Sequence, residues 1–263
     1  MTGGVGSRRS LVEAGLGHQR LTLTILLVGL PLACWIWVIA MARDMYGAMS
    51  GSAAWMMTAT IDASYLLLLW AMWAAMMAAM MLPSAAPLIL LYARGARQQS
   101  APGHAAAQIY AIAGGYVMIW AVFSLGATAL QYVMATSGAL TAMMEPATQV
   151  AAALLLLLAG VYQLTPLKQA CLRSCRTPIA FLSSRWRSGV RGAMRMGAEH
   201  GTHCLGCCWA LMLLLFAGGV MNLFVVVALT VWVAVEKLAP FGAQSARISG
   251  ALLLVAAVWM YYR

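Results

Sequence analysis

The chain has 263 residues, of which 63% are hydrophobic and only 8% are charged, and its formal net charge is +10. A soluble domain of this size cannot bury so many apolar side chains, so the composition excludes a soluble globular protein and indicates a polytopic membrane protein. The positive charge does not indicate nucleic-acid binding, because the chain has no basic–aromatic repeats and basic loops are typical of membrane proteins.

Apolar segments of spanning length recur along the whole chain. A membrane-spanning helix needs about 20 mainly apolar residues. The pattern predicts an all-α fold, a transmembrane helix bundle of about seven spans that forms a single domain over residues 21–263. We expect a short tail at 1–20 before it, and a basic loop at 168–198 between the fourth and fifth spans. The expected spans cover residues 21–42, 65–91, 105–134, 147–167, 199–216, 221–235 and 248–262.

The basic residues predict the orientation of these spans. Of the sixteen Lys and Arg residues, all but Arg43 and Arg263 lie in alternate connections, on one side of the expected membrane. Lys and Arg accumulate in cytoplasmic loops. We therefore expect the tail with Arg8 and Arg9 and the loop at 168–198 to be cytoplasmic, in the inner membrane of a bacterial cell.

A dense group of histidines and cysteines opens the fifth expected span. His200, His203, Cys204 and Cys207 are spaced at i, i+3, i+4 and i+7, so in a helix they lie along one face, and Cys208 follows directly. Imidazole and thiolate are ligands that Zn²⁺ and Cu(I) favour. The pattern predicts a metal site, with the preceding residue, Glu199, as an acceptor for an imidazole N–H. The alternative is that the cysteines only pack in the membrane and the histidines cap the helix.

A second pair of cysteines follows the fourth expected span on the same side. Cys171 and Cys175 are spaced at i and i+4, so a continuing helix would place both on one face. Neighbouring basic residues such as Lys168 favour the thiolate form, which binds metals and performs redox chemistry. We expect this pair to share a metal site with the fifth span, although two ordinary thiols under a basic loop remain an alternative.

Methionine is unusually frequent, with 20 residues. Met72, Met76 and Met80 step by four along the second expected span, and Met45 and Met49 stand near the outer end of the first. Thioether sulfur is a soft ligand that selects Cu(I), so the stripe favours copper as the cofactor and suggests a pathway, with zinc or iron as alternatives. On its own, such a stripe is more typical of adaptable core packing.

Four motifs resemble a bacterial family of predicted metal-binding integral membrane proteins, a domain of unknown function. The likeness runs from about Trp73 to Pro240. The resemblance implies a multi-helix inner-membrane protein that binds metal through cysteines, namely Cys171, Cys175, Cys204, Cys207 and Cys208. The motifs are Trp73-Ala-Ala-Met-Met-Ala-Ala-Met-Met-Leu-Pro83, Gly115-Tyr116 with Trp120, Tyr162-Gln-Leu-Thr-Pro-Leu-Lys168 with Cys171 and Cys175, and Gly201-x-x-Cys204-x-Gly-Cys-Cys-Trp209.

These observations predict an inner-membrane protein that handles Cu(I), by transport, delivery or insertion, with cysteines and histidines of the fourth and fifth spans. The expected partners are the lipid bilayer and either a metallochaperone or a membrane enzyme complex. A thiol- or metal-dependent redox enzyme, or a subunit of one, is the first alternative, and a purely structural membrane subunit is the second. The chain contains no motif of a classical hydrolase or nucleotide-binding enzyme.

Overall fold

The computed structural model describes residues 20–47, 51, 62–99, 102–141, 144–146 and 148–262. Residues 1–19 of the expected tail at 1–20, together with Met49 and Arg263, lie outside the described residues, whereas Arg20 is the first residue of a helix. Within them the chain forms nine helices and no β-strand, which confirms the all-α prediction. The helices are α1 (Arg20–Tyr46), α2 (Ala63–Gln99), α3 (Pro102–Thr136), α4 (Gln149–Leu164), α5 (Pro166–Arg176), α6 (Pro178–Arg185), α7 (Gly189–Gly218), α8 (Leu223–Leu238) and α9 (Gly242–Tyr262).

Five of these helices, α1, α2, α3, α7 and α9, are long and apolar enough to cross a membrane, and α4 with α5 adds a sixth if the bent pair forms one span. Helix α8 has only 16 residues, fewer than the about 20 of a typical span, and its last turn carries Glu236 and Lys237. The predicted count of about seven spans is therefore not confirmed. The helices are compatible with membrane insertion.

The segment expected to be a basic loop is largely helical. Residues 166–176 form α5, 178–185 form α6, and α7 begins at Gly189, ten residues before Glu199. Pro166 and Pro178 start α5 and α6, as expected for a residue that fixes φ and lacks an N–H. The Thr165 hydroxyl caps α5 by accepting from the Lys168 N–H. The axis turns by 67° between α4 and α5, which directs Cys171 and Cys175 back against α7.

Helices α3 and α7 approach each other closely through glycines. A Cβ added to Gly115 would stand 2.0 Å from the Met194 carbonyl oxygen, and one added to Gly197 would stand 1.9 Å from the Ile112 carbonyl oxygen. Only glycine fits such a backbone-to-backbone contact, and small residues are common where membrane helices pack. This contact places Tyr116, which follows Gly115, opposite the cysteines of α7.

The methionines of α2 lie in the centre of the bundle. Met72, Met76 and Met80 are all at most 2% exposed, as are Met77 and Met81 beside them. Helix α2 continues through Pro83 and Pro87, which the sequence places near the end of the second span. Its start is fixed by Asp62, whose carboxylate accepts from the Tyr65 N–H at 2.8 Å as expected for an N-cap.

Candidate metal site

The cysteines of α7 point into the interior of the bundle. Cys204, Cys207 and Cys208 are each 1% exposed. The thiols of Cys207 and Cys208 donate to the carbonyl oxygen of Cys204, at 3.1 and 2.9 Å. The three sulfur atoms are therefore held within one helical turn, at the place where α7 packs against α2, α5 and α8.

Helix α5 places two further cysteines next to those of α7. The Cys175 Sγ lies 3.9 Å from the Cys207 Sγ, so the fold brings the two cysteine groups together, and the metal site that they were expected to share stays a prediction. Cys171 lies one turn earlier, and a Cβ added to Gly206 would stand 2.7 Å from its Sγ. The Tyr162 hydroxyl donates to the Gly206 carbonyl oxygen and ties the end of α4 to the same turn of α7. All the described cysteines are free thiols.

Helix α2 contributes a thioether that the methionine stripe did not single out. The Met81 Sδ lies 4.0 Å from the Cys208 Sγ. The Met81 carbonyl oxygen accepts from the Tyr116 hydroxyl at 2.9 Å and from the Ser84 hydroxyl at 2.7 Å, so this residue is firmly held. Met72, Met76 and Met80 are buried in the same core, and within the described part of the chain no hydrogen bond joins them to the cysteines.

Two polar groups reach the sulfur of Cys204. The Lys237 ammonium of α8 donates to the Cys204 Sγ at 2.9 Å, and the Tyr116 hydroxyl of α3 lies 3.0 Å from the same sulfur. Neither residue was predicted to belong to the site. The sequence feature that could have indicated Lys237 is its position as a charged residue near the end of an apolar helix. For Tyr116 it is the preceding glycine, which permits a close contact between helices.

The two histidines lie further along the same face of α7, toward its start. His200 is 3% exposed, and its ring packs against Tyr116 and Phe181 with centroid distances of 5.9 and 5.4 Å. Its Nδ1 is buried and has no hydrogen-bond partner among the described residues. His203 is half-buried beside Phe181. Within the described part of the chain, no hydrogen bond joins either imidazole to a cysteine.

The carboxylate of Glu199 is engaged by arginines. It forms ion pairs with Arg185, Arg187 and Arg195 at 3.3, 3.0 and 3.2 Å. These contacts fasten the start of α7 to the segment after α6. The expected hydrogen bond from an imidazole to Glu199 stays a prediction, because the described contacts of this carboxylate are with arginines.

A buried ion pair lies beside the sulfur atoms and connects α5 to α8. The Lys168 ammonium is 2.5 Å from a Glu236 carboxylate oxygen, and the two side chains are 0% and 2% exposed. Gln163 and Trp232 donate to the other Glu236 oxygen at 2.7 and 2.9 Å. The Arg176 guanidinium donates to the Glu236 carbonyl oxygen at 2.9 Å. This network fixes α5, and with it Cys171 and Cys175, relative to Lys237.

The donor set suits a soft metal, although its members do not yet converge on one point. Among the described residues, no group of three or more His, Cys, Asp or Glu side chains stands in a position to hold a metal ion. Two sulfur atoms that each bind one ion at about 2.3 Å lie at most about 4.6 Å apart. The Cys175–Cys207 and Cys208–Met81 distances of 3.9 and 4.0 Å both fall within this limit. Within each pair, the two sulfur atoms are therefore close enough to bind one ion.

Comparisons with known proteins give this site a family context. The search of curated proteins found no match, and neither did the search of solved structures. The PpoB2 family, described as a copper chaperone, matches residues 70–260, which include α2 from Trp70 onward and both cysteine groups. Because this match covers most of the chain, the protein belongs to the PpoB2 family of copper chaperones.

Proposed function

We propose that the chain is a membrane-embedded copper chaperone that takes up Cu(I) on sulfur between α5 and α7 and delivers it to a partner. The observation that carries the proposal is the 3.9 Å distance between Cys175 and Cys207, two thiols contributed by different helices. Copper is the cargo in this proposal. The soft ligands and the family match both support copper over zinc or iron.

The proposed ligands are cysteines supported by one thioether. Cys175, Cys204 and Cys207 form the centre, with Cys208 and Met81 on one side and Cys171 on the other. Cys204, Cys207 and Cys208 are buried, so their thiolate forms need a compensating cation, which a bound Cu(I) would supply. Copper binding would also release the thiol protons, so uptake would be linked to proton release.

The two histidines are proposed as an entry or exit path. His203 is half-buried, His200 is buried with a free Nδ1, and Cys204 lies one turn further along α7. An ion moving along this face would meet imidazole first and thiolate last. The buried Nδ1 supports this role, since a buried polar atom without a partner is unusual in a folded protein.

The protein is proposed to lie in the bacterial inner membrane with its N-terminus in the cytoplasm. The end of the bundle that carries α5, α6 and the start of α7 also holds most of the basic residues, and such residues favour the cytoplasmic side. Ser183 of α6 is exposed and suits a labelling test. A cysteine at Ser183, in a background without native thiols, should resist a membrane-impermeant thiol reagent in intact cells. Labelling from outside would show that the protein has the opposite orientation.

Metal analysis of the purified protein tests the proposed function directly. The purified protein should contain bound Cu(I), and the Cys204→Ser/Cys207→Ser double variant should contain much less. Mass spectrometry measures the copper content of both. Cys34→Ser is the matched control, since Cys34 lies on α1, away from the other cysteines, and should bind copper like the native protein. Unchanged copper stoichiometry in the double variant would refute the proposal.

The same pair of thiols supports a second candidate function, thiol-based redox chemistry. Two thiols 3.9 Å apart need only small movements to form a disulfide, whose S–S bond is about 2.0 Å long. A protein isolated without metal and with a Cys175–Cys207 disulfide would favour a redox protein. One bound copper ion per chain would favour the chaperone. The partner is proposed to be a metallochaperone or a membrane enzyme complex that receives the copper.

A further inference from the structure

A lysine side chain is buried among the sulfur atoms of the proposed copper site. Lys237 is 5% exposed and stands in the last turn of α8. Its ammonium donates to the Cys204 Sγ at 2.9 Å and to the Ser84 Oγ at 3.2 Å, and it lies 3.6 Å from the Met81 Sδ. A fixed cation therefore lies in contact with two of the proposed sulfur ligands.

In the part of the chain that the structure describes, no carboxylate neutralises the charge of Lys237. Its neighbour in the sequence, Glu236, is directed to Lys168 instead. Among the described residues, no carboxylate oxygen lies within ion-pairing distance of the Lys237 ammonium. A buried ammonium is costly without a negative partner. Among the described partners of the Lys237 ammonium, the Cys204 sulfur, at 2.9 Å, is the one that becomes anionic when it binds a metal.

We infer that Lys237 determines the metal specificity of this site by favouring monovalent Cu(I) over divalent ions such as Zn²⁺. The inference rests on the proposed function and adds a specificity-determining residue to it. Thiolate ligands alone do not discriminate, because both Cu(I) and Zn²⁺ bind them well. The repulsion between a bound ion and a fixed ammonium is proportional to the charge of the ion, so Zn²⁺ is repelled twice as strongly as Cu(I).

The position of the ammonium gives a second reason for the same preference. An ammonium has no lone pair, so Lys237 cannot bind the metal and instead occupies one side of Cys204 and Met81. Structural zinc sites in proteins are almost always tetrahedral with four ligands. Lys237 blocks the side of these two sulfur atoms that faces α8. A fourth ligand therefore has less room to complete a tetrahedral zinc site.

The test compares metal affinities of neutral and charged variants at Lys237. Lys237→Met removes the charge and keeps much of the apolar stem, Lys237→Gln is a second neutral variant, and Lys237→Arg keeps the charge. Cu(I) and Zn²⁺ affinities are measured on the purified, reduced protein by competition with chromophoric chelators. We expect the neutral variants to shift the ratio of Zn²⁺ to Cu(I) affinity at least tenfold toward zinc, and Lys237→Arg to keep the native ratio.

A matched control removes a positive charge outside the site. Arg247 is exposed on α9, whereas Cys204, Cys207 and Cys208 are buried, so Arg247→Met should keep the native affinity ratio. Size-exclusion chromatography identifies which neutral Lys237 variants are folded. The ratio of Zn²⁺ to Cu(I) affinity is then measured on a folded variant. A folded neutral variant with the native ratio would overturn the inference. A native protein that binds no copper would instead refute the proposed function.

Discussion

The Cys175 Sγ and the Cys207 Sγ lie 3.9 Å apart, although the two residues are 32 positions apart in the sequence and belong to different helices. The bend between α4 and α5 creates this proximity by directing α5 against α7. The Lys168–Glu236 ion pair and the Arg176 hydrogen bond then hold α5 in place from the side of α8. The proximity depends on the fold rather than on the spacing of either motif.

The first prediction is that these two thiols form a disulfide with each other under oxidation. In metal-free protein treated with diamide, each thiol would lose a proton and an electron, and a Cys175–Cys207 bond would form after small side-chain rotations. Peptide mass spectrometry after blocking of the remaining thiols identifies the pair, and Cys34 should remain free. Loading with Cu(I) beforehand should suppress the bond. A dominant disulfide that involves Cys171 in place of Cys175 would contradict the described arrangement.

The second prediction concerns the buried ion pair of Lys168 and Glu236. Lys168→Met leaves a buried carboxylate without its cation, and the loss of one partner of such a pair typically costs about 3–5 kcal/mol. We expect a large fall in the melting temperature of the protein in detergent. Lys168→Met/Glu236→Leu removes both charges and should recover much of the stability. A double variant that is less stable than Lys168→Met would show that the pair is not coupled as described.

The third prediction compares two adjacent glycines of α3. Gly115 is buried against the Met194 carbonyl oxygen of α7, whereas a Cβ at Gly114 would meet nothing within 4 Å. Gly115→Ala forces the two helix backbones apart, and overpacking of this kind costs about 1–3 kcal/mol. Gly114→Ala should be neutral or slightly stabilising, because alanine has the higher helix propensity. Thermal unfolding measures both variants, and equal effects would refute the close contact.

Much of the helical architecture follows from composition and periodicity. The apolar segments predicted the long helices. The i, i+4 spacing predicted that Cys171 and Cys175 share a face if the fourth span continues as a helix, and both lie on α5, which follows α4 after a 67° bend. The segment at 168–198 was harder to predict. Its charge suggested a loop, but the Thr165 cap, the helix-starting prolines and the packing of Leu172 and Phe181 make most of it helical. Tertiary packing here outweighs the polar composition.

For the candidate metal site, the sequence predicts which cysteines share a helix but not which side chains surround them. Cysteine and histidine spacing on one helix can be read directly from the sequence. The contacts of Lys237, Tyr116 and Met81 with these cysteines join α8, α3 and α2 to α7, and such contacts across helices leave no periodic signal. Glu236 and Lys237 are adjacent in the sequence, yet they bind different partners because consecutive residues of a helix point in different directions.

The last prediction distinguishes the role of the methionine stripe from the role of Met81, which lies next to the cysteine thiols. Met72, Met76 and Met80 are buried in the core, so their replacement by leucine keeps volume and apolarity and should preserve the fold. The triple variant should bind copper like the native protein, because none of the sulfur contacts described for the cysteines involves these three side chains. Met81→Leu, in contrast, removes a sulfur atom 4.0 Å from Cys208 and should weaken Cu(I) binding in a chelator competition.

If the stripe is a path for copper, the triple variant should also move Cu(I) into proteoliposomes more slowly than the native protein. Equal flux would identify the stripe as core packing, and the chaperone would then exchange copper at the thiols without conducting it through α2.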